Sequence, residues 1–178
     1  MEHLKEPQIN KKIFARVPII AESTPLSRRH IRLTFSTGES VLAEMLDDEA
    51  PNVCRSVWDL LPMERNAIHG QYSGAEVFIL LEDHTPIPPQ NMAQIPVPGE
   101  LYYFSDPGGN VTSRKQPAAE ICIVYGRGVI LRGPEGVPGF ASLFARIPGD
   151  WKYDWTAFAE ACRRVRRQGP QRLRIERA

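Results

Sequence analysis

Cysteine is scarce and never paired in this sequence. Cys54, Cys122 and Cys162 are odd in number, show no Cys-x-x-Cys spacing, and each lies in an apolar run. That pattern fits buried free thiols in a reducing cytoplasm and argues against a disulfide framework or a thiolate metal site. Histidine is also sparse: His3, His30, His69 and His84 are dispersed without His-x-x-x-His or His/Cys spacing, so no structural zinc and no metal cofactor is expected. A dinucleotide cofactor is not indicated, because Gly126-Arg127-Gly128 lacks the third glycine and following helix of the phosphate-binding turn. Ser73-Gly74 does not form a nucleophile elbow. No stretch approaches the roughly 20 apolar residues of a membrane-spanning helix, and Met1 to Lys12 has no apolar core of signal-peptide length. The expectation is a soluble cytoplasmic chain with no membrane partner.

What the sequence does have is punctuation. Sixteen prolines and thirteen glycines among 178 residues cluster between apolar runs, as in a strand-and-turn protein rather than a helical bundle. The length suits one core plus extensions. Residues 151–178 carry eight Lys/Arg against three acids, while residues 1–150 carry fourteen against eighteen, so a basic tail follows a mildly acidic body. Three segments result: an N-terminal arm over 1–28, a core over 29–150, and a basic helix and tail over 151–178 packed on that core.

Within the core, Ile31, Leu33 and Phe35 alternate with polar residues, and Thr37-Gly38 turns the chain into a second strand, Ser40 to Met45. A helix is predicted over Pro51 to Leu61, opened by proline at a position where its missing N–H is harmless. Asp47, Asp48 and Glu49 precede it, where the helix dipole favours negative charge. Ala67 to Leu81 reads as a strand buried between barrel interior and helix, and Glu82 to Pro98 as a proline-rich loop. Further strands are predicted at Glu100 to Phe104, Glu120 to Tyr125, extended or bent by Val129 to Leu131, and Ser142 to Ile147. A last helix capped by Asp154 buries Trp155, Phe158, Ala159, Cys162 and Val165, and Gly169-Pro170 stops it. Leu173 and Ile175 allow one short closing strand. Val17 to Ala21 allows an edge strand, whose apolar positions would make a second copy of the chain a candidate partner.

The segment AEMLDDEAPNVCRSVWDLL, a hairpin strand feeding an acidic, proline-started helix with Trp58 near its end, resembles the opening of cyclophilins. AIHGQYSGAEVFILLE, PGELYYFSDPGG, EICIVYGRGV and SLFARI then resemble a bacterial and archaeal family of cyclophilin-like proteins of unknown function, over about residues 30–150. The resemblance implies a mainly β fold, a closed barrel of about eight strands capped by helices. It does not imply the activity. Prolyl isomerase cyclophilins place an arginine on the strand after the first helix and a glutamine-rich glycine motif on the next; here those strands read Ile68-His69-Gly70-Gln71 and Ser73-Gly74-Ala75-Glu76-Val77-Phe78.

His69 and Glu76 flank a turn and could meet across paired strands as a base and the carboxylate that orients it; equally, His69 could be a satisfied barrel histidine and Glu76 an edge-strand charge. Tyr103, Tyr125 and Glu120 are candidate ligand contacts that could also be core tyrosines and a strand-end acid. Arg146 could pair with Glu120 or hold a substrate carboxylate, and Asn91 could reach over the barrel mouth or close a turn. The leading reading is a barrel that binds, and could transform, a small polar molecule. A non-catalytic peptide- or protein-binding module is the alternative. The arginines of residues 163–177 read as a solvated face before they read as a nucleic-acid contact.

With neither gripping motif present, a proline tetrapeptide should interconvert at its uncatalysed rate over a barrier of ~18–20 kcal/mol when the protein is added. Acceleration by the native but not the boiled protein would overturn that expectation.

Overall fold

The computed structural model describes residues 28–81, 87–106, 118–133 and 136–178. The predicted strand at Val17 to Ala21, most of the N-terminal arm, and residues 82–86 of the proline-rich loop lie outside them. In chain order the elements are β1 (His30–Phe35), β2 (Ser40–Met45), α1 (Pro51–Asp59), β3 (Met63–His69), β4 (Glu76–Leu81), β5 (Met92–Ala93), β6 (Glu100–Asp106), β7 (Ala118–Val124), β8 (Ala141–Arg146), α2 (Thr156–Gln168) and β9 (Gln171–Arg177).

Eight of these strands close an antiparallel barrel in the order β2-β1-β9-β3-β4-β7-β6-β8, and β5 adds a short ninth strand beside β8. Closure comes from Glu44 and Met45 of β2, which pair with Arg146 and Ala145 of β8. The expected barrel of about eight strands is therefore present. β9, the short closing strand that Leu173 and Ile175 allow, fills the gap between β1 and β3: Leu173 lies opposite Phe35 and Arg65, and Ile175 opposite Leu33 and Met63.

Alternation sorts the residues of each strand into two sets. The inner set, with Ile31, Leu33, Phe35, Val77, Ile79, Ile121, Ile123, Leu173 and Ile175, forms one core with Val53, Cys54 and Val57 of α1 and Phe158, Ala159, Cys162 and Val165 of α2. The Phe35 and Phe158 rings meet at 5.2 Å between centroids. All three cysteines are buried and free. The outer set around β6, β7 and β8 forms a second, smaller core, in which Tyr102, Cys122, Val124 and Leu143 pack with Val129 and Leu131. The outer face of the β4–β7–β6 region is thus covered by a loop, not by the helix expected there. Val129 to Leu131 do not prolong β7; the chain turns back, held where Ile130 N–H donates to Ser73 O at 3.0 Å and Leu131 N–H to Gln94 O at 2.9 Å.

α1 begins at Pro51 as expected, but Asp47 before it and Asp154 before α2 take other partners. Asp47 is drawn into an ion pair with Arg29, and the free N–H groups of Asn52 and Val53 are met by Gln90 Oε1 at 2.9 and 3.3 Å. Asp154 does not cap α2: its Oδ2 accepts from Asp150 N–H at 2.6 Å and closes the preceding turn, so the helix begins at Thr156 without a side-chain cap. The basic face of α2 and β9 is laced to acids, with Arg163 and Arg167 on Glu160, Arg164 on Glu39 at 2.6 Å, and Arg172 on Glu64 at 2.9 Å. No helix among the described residues is long and apolar enough to cross a membrane.

If β9 closes the barrel, truncating a fully buried side chain on it leaves a cavity that the sheet cannot collapse around. Leu173→Ala should lower unfolding free energy by about 2–5 kcal/mol in a urea titration. A midpoint unchanged from the parent would show that β9 is dispensable for closure.

Candidate functional site

The β3–β4 hairpin sets up two chemically distinct faces. His69 pairs with Val77, and Gly70 N–H donates to Glu76 O at 3.1 Å. Residues directly opposite share a face and neighbours along a strand alternate, so His69 belongs to the inner face with Val77 whereas Gly70 and Glu76 belong to the outer face. His69 and Glu76, expected to meet as base and orienting acid, are separated by this alternation. Both ring nitrogens of His69 are engaged elsewhere: Nδ1–H donates to Gly70 O at 2.7 Å, which leaves Nε2 to accept from the Tyr125 hydroxyl at 2.7 Å. Burial, with the Arg166 charge acting in the same direction, holds its pKa below the usual histidine value against the Gly70 hydrogen bond. The ring is a neutral strut joining β3 to the end of β7, and its basic lone pair is spent on Tyr125. The Arg163 guanidinium stands 5.9 Å from the Tyr125 ring centroid.

On the outer face the hairpin and the returning chain, at residues 131–133 and 139, enclose a cavity of about 300 Å³. Glu76 lies against it, only 5 % exposed, and its Oε2 has no hydrogen-bond partner. The carboxyl fits because the residue opposite is glycine: a Cβ on Gly70 would stand 2.5 Å from Oε1 and 2.7 Å from Cγ. Desolvation pushes the Glu76 pKa up to about 7, helped by the charge of Glu120 and opposed by a hydrogen bond from Ser73. The Ser73 hydroxyl also ties the hairpin to the loop, accepting from Arg132 N–H at 3.2 Å and lying 3.3 Å from Arg132 O, so its single proton serves either that carbonyl or the carboxyl. Phe78 and Cys122, paired across β4 and β7, are on the cavity wall, as are Glu120 and Phe104, paired across β7 and β6.

Of the residues singled out from sequence, Glu76 and Glu120 line this cavity and His69 touches its rim. Tyr125 serves His69. Tyr103 turns into the barrel core, while its neighbour Tyr102 turns outward. Arg146 pairs with Glu100, not Glu120, at 3.2 Å, where β6 and β8 lie side by side. Asn91, at φ 47°, is tied to β8: its Nδ2 donates to Leu143 O at 3.0 Å. Ser73, Phe78, Phe104, Cys122 and Arg132 were not anticipated as lining; the only trace of them in sequence is that β4 and β7 are apolar on both faces, so one face had to meet something other than the barrel core. A second hollow of about 420 Å³ lies between the hairpin and the end of α2, beside His69, Gln71 and Arg166. Among the described residues no group of three His, Cys, Asp or Glu side chains is placed to share a metal ion.

Residues 33–176 match the family described as "Protein of unknown function (DUF3830)". The chain belongs to that family. No curated protein matches it. The DUF3830 barrel is similar in fold to McbB, solved in complex with tryptophan, with a TM-score of 0.58 at 18% identity, covering 83% of this chain and 44% of the McbB chain. It spans less than half of McbB. It is also similar to the hypothetical protein AF2241 from Archaeoglobus fulgidus, with a TM-score of 0.51 at 16% identity over 85% of this chain and 95% of that one. At these identities the likeness concerns the fold.

Because the Glu76 pKa is raised on folding, the folded state keeps a proton that the unfolded chain has released between pH 4.5 and about 7. The sign follows: stability is greatest below the unfolded value and is lost as pH rises through the folded one, by on the order of 3 kcal/mol in total. Glu76→Gln should remove that loss, so its stability relative to the parent should rise between pH 5 and pH 8 in paired urea titrations. A difference between the two proteins that stays constant with pH would contradict the burial of an ionisable carboxyl here.

Proposed function

We propose that this DUF3830 chain is a cyclophilin-like barrel that binds a small polar molecule in the outer-face cavity, and that it does not catalyse prolyl isomerisation. The observation that carries the reading is the Glu76 carboxyl, buried against a cavity with one oxygen unpartnered. A buried acceptor without a donor costs about 1–3 kcal/mol, and folds that keep such a group usually do so for a ligand or for chemistry. The volume stands at the lower end of small-molecule sites, about ten water volumes, which suits a metabolite better than a folded partner. The mixed lining supports the same reading, with apolar Phe78, Phe104, Cys122 and Leu131 beside polar Glu76, Glu120 and Arg132. McbB, similar in fold, was solved with a small molecule bound, which agrees with a ligand-binding use of this architecture. The pair first read as catalytic divides accordingly: Glu76 is assigned to the ligand, and His69 to holding the hairpin.

A thermal-shift screen of metabolites against the intact chain tests the reading, since a ligand at 100 times its Kd should add about 2.7 kcal/mol of stability. Hits should be weakened by Phe104→Ala, which trims a half-exposed wall residue. Hits that ignore Phe104→Ala and perturb amides of the α2 hollow instead would place binding elsewhere.

A further inference from the structure

The chemistry of the wall restricts what the cavity can accept. One polar atom of its wall, Glu76 Oε2, is buried and has no hydrogen-bond partner. The second acid, Glu120, stands on β7 opposite Leu80, four residues along the strand from Val124, which lies opposite Glu76. The two carboxyls therefore start about 13 Å apart at the backbone and belong to the same outer face. Between their rows lie Phe78 and Cys122, and Phe104 flanks Glu120 on the next strand. Among the described lining residues the guanidinium is that of Arg132, exposed at the rim. An anion seated against Glu76 would meet a buried acid with no buried cation among the described lining residues to receive it, and a wholly apolar guest would leave Oε2 unmet.

Resting on the ligand-binding reading above, we propose that the cavity takes a protonated primary amine with an aromatic body, its ammonium on Glu76 and its ring over Phe78 and Cys122 toward Phe104. An ammonium brings three donors, enough to serve Oε2 and still face the open side of the site. Its charge is complementary to the Glu76 carboxylate. A six-membered ring with a two-carbon arm fits within about 300 Å³. Phenylalanine faces and edges are suited to stacking against such a ring at centroid distances of about 4.5–7 Å. The amine end is fixed by Gly70, because only a residue without a Cβ lets the Glu76 carboxyl occupy its position over the opposite strand.

Three probes of matched shape separate the possibilities: 2-phenylethylamine, 2-phenylethanol and 3-phenylpropanoate, each titrated into the intact chain at neutral pH while the amide signals of Gly70, Gln71 and Cys122 are followed. The amine should bind at least tenfold more tightly than the alcohol, and the propanoate should leave these amides unmoved. Glu76→Gln, close in shape to the parent residue, should bring the amine down to the level of the alcohol, while Phe104→Ala should weaken amine and alcohol together. Gly70→Ala reaches the same carboxyl from the opposite strand and should also abolish the preference, which keeps the test decisive if the Gln variant fails to fold. Tighter binding of the propanoate, or an amine preference that survives both substitutions, would overturn the amine assignment and leave a ligand cavity standing. No response of the cavity amides to any probe would count against the cavity as well as the amine.

Discussion

Closure of the barrel is the constraint from which the other features follow. A sheet of this length with open ends would present unpaired backbone along β3 and β1, and the molecule avoids that by threading β9 between them while β2 meets β8. Once closed, the interior has room only for side chains, and it is filled by aliphatic and aromatic groups with α1 and α2 contributing to the same core. A charged carboxyl is disfavoured inside so apolar a core. Any site requiring a carboxyl has to be built on the outer face, and that face has to be given a roof before it can hold one.

The loop of residues 126–133 supplies the roof. It is anchored by backbone hydrogen bonds to the hairpin at Ser73 and to the chain at Gln94, and by its own apolar residues Val129 and Leu131, which make a second core against Tyr102, Cys122 and Val124. This arrangement makes the burial of Glu76 tolerable. The carboxyl is disfavoured in its charged form by desolvation, but the hairpin is held from both sides: inside by the His69–Tyr125 hydrogen bond, and outside by Ser73 against the Arg132 backbone. A group that destabilises its own fold persists only where the surrounding structure over-determines its position. Glu76 satisfies that condition.

Much of the fold was legible in the sequence because local signals agreed. The alternation in His30 to Phe35, the Thr37-Gly38 turn, Pro51 at the first helical position, and the apolar stripe of α2 ended by Gly169 each correspond to the observed elements. What was not legible depended on partners distant in sequence. Leu173 and Ile175 marked a short closing strand but not its place between β1 and β3, because the residues that pair with them lie more than a hundred positions earlier. Gln90, which serves the first turn of α1 from 37 or 38 residues away, carries no local mark of that role. The tyrosines show the same limit within a single strand. In Leu101-Tyr102-Tyr103-Phe104 the residues of both faces are apolar or aromatic, so composition cannot tell the barrel interior from the outer layer; only the register against β7 and β8 sends Tyr103 in and Tyr102 out.

That parity also explains the candidate site. His69 and Glu76 attracted attention together because they flank one turn, and proximity in a hairpin suggests partnership. Partnership in a sheet, however, requires the same face as well as neighbouring positions. The register pairs His69 with Val77 and sets Gly70 against Glu76, a difference of one residue that sends the imidazole toward Tyr125 and the carboxyl toward the cavity. Had the pairing slipped by one position, the acid would enter the apolar core at a cost that the fold could not offset. The apolar residues of β4 on the inner face, Val77, Ile79 and Leu81, fix the register, and in doing so they fix the outward direction of Glu76. The same inner-face packing that stabilises the barrel therefore aims the buried, unpartnered carboxyl oxygen of Glu76.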